Sequence, residues 1–189
     1  MKKLVVLLLA SLVASTAFAG LDTDTDMMGL YFDTQGDVVC RTAAFLTHVN
    51  GYILYTNPTI PSTRGFECAL NKTVGNTSLT WSFPLPSTNV GTGSSLIVGY
   101  SVPMPTAPAT LMATCDIFFL DFTPVDFFIG PSVPSSNSDG LPMVMLDDFS
   151  LMTVGTSVLS GPCAQINAPE CMVVENEDAS FGAVKALFR

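Results

Sequence analysis

The chain has 189 residues, 48% of them hydrophobic and only 12% charged, with sixteen Asp and Glu against seven Lys and Arg. So acidic a surface has few cations for contacting phosphate and repels nucleic acid and anionic lipid, which excludes both as partners. Aromatic and aliphatic content excludes a disordered chain, while scarce Lys and Glu, with no sustained i, i+3, i+4, i+7 apolar repeat, exclude a mainly helical one.

Lys2-Lys3, the apolar run Leu4 to Val13 and the small-residue pattern Ala17-Phe18-Ala19 read as a secretory signal peptide, residues 1–19, cleaved after Ala19. Its apolar run is about half the ~20 residues a membrane span needs, and no later window is long and apolar enough for one. The expected mature chain is secreted, periplasmic or on the cell surface. It has 170 residues and keeps five Lys and Arg against sixteen acids, a formal charge of −11. That length suits a single domain.

Asp22-Thr23-Asp24-Thr25-Asp26 has the spacing that opens a calcium loop. Met27 stands where such a loop needs Gly, and Asp33 where it needs Glu, so the stretch reads as a flexible acidic leader. A first strand over Met28 to Asp33 closes on the turn Thr34 to Asp37, in which Asp33 and Asp37 are candidate calcium ligands. Val49 to Thr56 is a strand ended by Asn57-Pro58. Arg64 to Leu70 alternates, with Phe66, Cys68 and Leu70 on an apolar face and Gly65, Glu67 and Ala69 on the polar one.

Ser78 to Phe83 carries the single tryptophan, Trp81, on an apolar face with Leu79 and Phe83. Pro84 to Ser95 reads as a loop and Leu96 to Val102 as a strand. Ala109 to Gly130 reads as a central hairpin turning at Asp121-Phe122-Thr123-Pro124. After the polar stretch Pro131 to Gly140 come Met143 to Leu146, a turn at Asp147-Asp148, and Leu151 to Val154. Turn signals about every 8 to 12 residues between short strands predict an all-β, antiparallel β-sandwich of about eight to ten strands, immunoglobulin-like or cohesin-like, over residues 20–161.

Five cysteines in an exported chain predict disulfides, with an odd thiol left over. Cys68 and Cys115, on apolar strand faces, are the candidate inter-sheet bridge; Cys163 and Cys171 could pair locally or supply the odd thiol. No C-x-x-C is present and a lone histidine completes no zinc set, so disulfides are preferred to a metal site.

His48 is the only histidine, at an ordinary strand entrance with no nucleophile motif, and reads as a solvent-facing residue. Glu67 with Asp116 or Asp121 could serve as paired carboxylates of a hydrolase, although the pattern does not place two of them at a working separation. Trp81, Tyr31, Tyr52, Tyr55 and Tyr100 are the rings available for stacking on a sugar. The alternation puts Trp81 in the core. Asn71-Lys72-Thr73 and Asn76-Thr77-Ser78 fit the glycosylation pattern and read as ordinary loop residues behind a bacterial-type leader.

Residues 162–189 form a distinct tail. Acids at Glu175, Glu177 and Asp178 precede Ser180 to Arg189, in which Phe181, Val184, Leu187 and Phe188 would share one face of a short helix. Gly29-Leu30-Tyr31-Phe32-Asp33 and the ending Ser180-Phe181-Gly182-x-Val184-Lys185-x-Leu187-Phe188-Arg189 resemble features of a poorly characterised group of exported bacterial β-sandwich proteins. Members of that group have Trp where Phe181 stands and Tyr where Phe188 stands. The resemblance implies no enzymatic activity.

Two roles are open to the tail: a cap packed on the sandwich, or a segment read by a sorting or assembly partner. The expected function is a non-catalytic secreted or periplasmic binding or structural module with a protein or glycan partner and no cofactor beyond a possible calcium ion. The alternatives are a carbohydrate-binding module, calcium-dependent or not, and a carboxylate-based hydrolase.

Overall fold

Alternation of buried and half-buried residues over Ala109 to Phe119, broken only where Met112 and Ala113 are both buried, commits this stretch to a strand. The computed structural model describes residues 23–158 and 160–171, so the expected signal peptide and C-terminal helix lie outside the described residues. The strands are β1 (Met27–Tyr31), β2 (Cys40–Arg41), β3 (His48–Thr56), β4 (Ser62–Lys72), β5 (Thr77–Ser82), β6 (Ser87–Asn89) and β7 (Ser95–Pro105). They continue with β8 (Ala109–Phe119), β9 (Val125–Gly130), β10 (Met143–Met145), β11 (Leu151–Thr153), β12 (Gly155–Thr156) and β13 (Ala164–Ile166), before a 3-10 turn at Pro169–Cys171. The number exceeds the expected eight to ten because short pieces of two or three residues, such as β2, β6 and β12, carry little periodicity to read.

Two sheets face each other across one core. The smaller has the order β12-β1-β3-β8-β5, and the larger β11-β10-β4-β9-β13-β2, with β7 on the other edge of β4 and β6 beyond it. Pairing is antiparallel except for β1 with β12 and β13 with β2, which are parallel. Ile53, Ile117 and Phe119 from the smaller sheet meet Phe66, Leu70, Leu96 and Phe127 from the larger, all buried. Trp81 packs half-buried against this core, on the face its alternation indicates.

The expected central hairpin is not formed. β8 has both edges occupied, by β3 and β5, whereas β9 pairs with β4 and β13 in the opposite sheet. The joint between them is a crossover. It is pinned by Asn76, whose carbonyl accepts the Leu120 N–H at 2.8 Å and whose amide donates to Asp121 at 2.6 Å. A hairpin and a crossover of this length carry the same alternation, so periodicity does not separate them.

Two other expectations change. The sandwich does not stop at 161, because Ala164 and Ile166 are buried in β13 between β9 and β2. The acidic leader is anchored at its end: Asp26 accepts hydrogen bonds from Tyr55 Oη, the Thr59 N–H at 2.8 Å and the Thr59 hydroxyl at 2.6 Å.

Cys40 is bonded to Cys171, with Cα atoms 4.9 Å apart, and Cys68, Cys115 and Cys163 are buried thiols. The expected Cys68–Cys115 bridge and the local Cys163–Cys171 pairing are therefore absent. Cys68 and Cys115 do face the core from opposite sheets, but an inward direction does not set the lateral position that a disulfide requires. Burial pushes the Cys115 thiol up to about 12 and raises Cys68 and Cys163 as well, so all three stay as thiols packed like small hydrophobes.

Candidate functional site

The outer face of the larger sheet holds a depression built by two rows of residues in register. In one row Leu151 of β11 faces Met145 of β10, then Gly65 of β4, Gly99 of β7 and Thr88 of β6. In the next, Thr153 faces Met143, Glu67 and Ile97, with the Val90 N–H donating to the Ile97 carbonyl at 3.0 Å. These positions alternate with Phe66, Val98, Tyr100 and Val144, which point into the core.

Gly99, in the floor and opposite Gly65 across the β4–β7 pair, leaves the concavity. A side chain at Gly65 would meet the Val98 carbonyl oxygen at 2.1 Å, so close strand approach requires glycine there. At Gly99 an added Cβ meets nothing within 4 Å. The resulting groove has a volume of about 320 Å³, and its apolar walls include Val90, Ile97, Met145 and Leu151. Val90 is 68% exposed and Leu151 46%, so this apolar surface faces solvent.

One wall is fixed by a buried carboxylate. Glu67 is only 4% exposed, and its Oε1 accepts the Ser132 hydroxyl at 2.5 Å and the Ser136 N–H at 2.8 Å, while Oε2 accepts the Ser136 hydroxyl at 2.7 Å. Burial acts to raise its pKa, but these hydrogen bonds outweigh it and hold the carboxyl below its usual value. The polar side that Glu67 occupies is thus covered by the 132–136 loop and not solvated as its strand position suggests.

The surroundings of the groove are acidic. Asp139 accepts from Asn137 at 2.6 Å and Thr153 at 3.2 Å; Asp147 accepts from Ser62 at 2.5 Å; and Asp148 shapes the β10–β11 turn through Ser150. Arg64 lies 3.8 Å from Asp147 and places its guanidinium 4.7 Å from the centre of the exposed Phe149 ring.

A pH test isolates the Glu67 latch. Because its folded pKa lies below the unfolded value of about 4.3, the latch contributes fully above that value and is lost as pH falls through the lower folded pKa. Hydrogen exchange at the Ser136 amide, corrected for its intrinsic rate, should show protection lost in that acid window. Glu67→Gln, which does not titrate, should remove the step. Glu67→Ala should cost about 2–3 kcal/mol by orphaning the Ser132 and Ser136 donors; an unchanged thermal midpoint would show that the latch is not formed.

The other residues singled out in the sequence do not converge on one site. Asp33 Oδ1 accepts the Asp37 and Val38 N–H groups, both at 3.0 Å, so it caps its own turn. Among the described residues no group of three or more His, Cys, Asp and Glu is placed to hold a metal ion. Glu67 and Asp116 lie on the outer faces of opposite sheets with the core between them, and Asp121 sits in the crossover loop, so no carboxylate pair is assembled from them.

His48 is exposed, as expected, but it is also paired, with Nδ1 2.8 and 2.9 Å from the Asp116 carboxylate oxygens and its ring 4.7 Å from that of Phe118. Tyr31, Tyr55 and Tyr100 are buried, the last donating to the Met112 carbonyl at 2.6 Å, and they form no platform for a sugar. Among the described residues the exposed phenylalanine rings are Phe45, Phe122 and Phe149. The Gly65–Gly99 juxtaposition has no signal in either strand alone, since it depends on the β4–β7 register.

No protein-family model and no curated protein matches the chain. Its architecture does match solved structures. The sixth cohesin from Acetivibrio cellulolyticus scaffoldin B, in complex with a mutant Cel5 dockerin, superposes with a TM-score of 0.52 at 6% identity, covering 76% of this chain and 99% of that one. The fold is a cohesin-like sandwich. A type II cohesin domain from the cellulosome of the same organism gives a TM-score of 0.50 at 13% identity, covering 76% of this chain and 96% of that one.

Proposed function

We propose that this cohesin-like chain is a non-catalytic module, exported by its leader, that binds a protein partner in the groove on the outer face of the larger sheet. The observation that carries the reading is the solvent-facing apolar groove floored by Gly99 and walled by Val90, Ile97, Met145 and Leu151. A cohesin of the same fold has been captured with a dockerin, a protein partner, which supports a protein ligand over a glycan or a reaction. Asp139, Asp147 and Asp148 around the groove, and the formal charge of −11 expected after leader removal, select a partner segment that is apolar and flanked by Lys or Arg.

Gly99→Leu tests this directly. The substitution enters open space, so the fold should hold, and stability should change by no more than about 1 kcal/mol. Peptides selected from a random displayed library on the wild-type protein should be apolar with flanking cations, and Gly99→Leu should weaken them about tenfold or more, a loss of about 1.4 kcal/mol. Equal binding by both proteins would place the partner elsewhere.

A further inference from the structure

A second apolar surface lies at one end of the sandwich, outside the groove. Phe45 and Leu46, from the loop before β3, and Leu120 and Phe122, from the β8–β9 crossover, are all exposed, Phe45 by 50% and Phe122 by 68%. The Phe45 and Phe122 ring centroids are 6.1 Å apart. The arrangement is built: the Leu46 N–H donates to the Phe119 carbonyl at 3.0 Å, and the Phe119 N–H to the Thr47 carbonyl at 2.9 Å. Leu46 has a φ of 55°, a costly conformation for a branched residue and one held here by its surroundings.

The chain leaves the described structure at the base of this surface. Two residues before Phe45, the Ala43 N–H donates to Asn167 Oδ1 at 2.8 Å and the Ala43 carbonyl accepts from Asn167 Nδ2 at 3.0 Å. Four residues after Asn167 comes Cys171, tied by its disulfide to Cys40 beside the same loop. Nine residues, 172–180, then separate Cys171 from Phe181, and at ~3.3 Å each they span up to about 30 Å. The patch lies within that reach.

We propose that this patch is the seat of the chain's own C-terminal segment, with Phe181, Val184, Leu187 and Phe188 covering Phe45, Leu46, Leu120 and Phe122. The charges agree with that placement. Lys185 and Arg189 are two of the five cations left after leader removal, and the patch carries Asp121; the acids Glu175, Glu177 and Asp178 come earlier in the sequence, nearer to Cys171, whose disulfide partner Cys40 precedes the exposed Arg41. Apolar area left open at a loop tip favours association with whatever apolar segment is held nearby, and a tethered segment acts at an effective concentration of about a millimolar. The inference is independent of the partner reading for the groove.

Photo-crosslinking in the full mature chain decides between occupants. With Phe122→p-benzoylphenylalanine at about 10 µM protein, tethering should make intrachain product to residues 181–189 exceed interchain product by about a hundredfold. Crosslinks chiefly between two copies would assign the patch to self-association and overturn the proposal, as would the absence of any crosslink to the segment. A double-mutant cycle of Phe122→Asp and Leu187→Asp provides the second measurement. The two drops in thermal midpoint should combine to less than their sum if the side chains touch, and additive drops would overturn the contact.

Discussion

Replacing Cys40 and Cys171 together by Ser is expected to destabilise the protein by about 5 kcal/mol. The bridge spans 131 residues of sequence, and in the chain-entropy treatment a loop of that length restricts the unfolded chain by about that amount. For a domain of this size the thermal midpoint should fall by roughly 10–20 °C. The location of the bridge supports a large effect, since it ties β2, an edge strand of two residues, to the turn that follows β13. Cys68→Ala deletes only a small buried thiol and should cost about 1–2 kcal/mol. Thiol titration of the denatured, unreduced protein should find three thiols per chain. A count of one or five, or a large effect at Cys68 with a small one at Cys40, would overturn the pairing.

Phe127→Ala should cost about 3–5 kcal/mol, the range for deleting a fully buried aromatic side chain and leaving a cavity. Phe127 is buried in β9, opposite Lys72 of β4 on one side and Ala164 of β13 on the other. Its carbonyl accepts the Cys163 N–H at 2.8 Å and the Cys163 thiol at 3.3 Å. Loss of the ring removes packing where the larger sheet gains its last strands. Phe128, half-buried on the other face of the same strand, should cost about 1 kcal/mol when changed to Ala. Chemical denaturation of the two variants measures the contrast, and equal costs would show that β9 does not present Phe127 to the core.

Much of this architecture is legible in composition and alternation. Strand positions such as Leu96 to Val102 and Ala109 to Phe119 follow from near period-two patterning, and Val49 to Thr56 from an apolar run closed by Asn57-Pro58, both local properties of the chain. Inward directions are legible for the same reason at Cys68, Cys115 and Trp81. Lateral neighbours are not. The crossover at Leu120 to Pro124 carries the same pattern as a hairpin, and Cys40 with Cys171, 131 residues apart and in weakly patterned segments, gave no sign of each other.

The candidate site was less legible than the fold. Alternation places Glu67 on the outward face of β4, but its burial depends on Ser132 and Ser136, which arrive from a loop sixty-five and sixty-nine residues later. The groove itself exists because Thr88, Gly99, Met145 and Leu151 arrive in one row from separate strands, and the exposed ring pair exists because Phe45 and Phe122 come from separate loops.

By itself the sequence determined a β-sandwich with an acidic surface, since alternation and charge are properties of each residue and its immediate neighbours. Only the tertiary structure decided which strands adjoin, which cysteines meet, that Glu67 latches a loop, and where apolar surface stays open. Each of these is a long-range pairing whose free energy depends on two distant segments in register, and neither segment carries a record of the other.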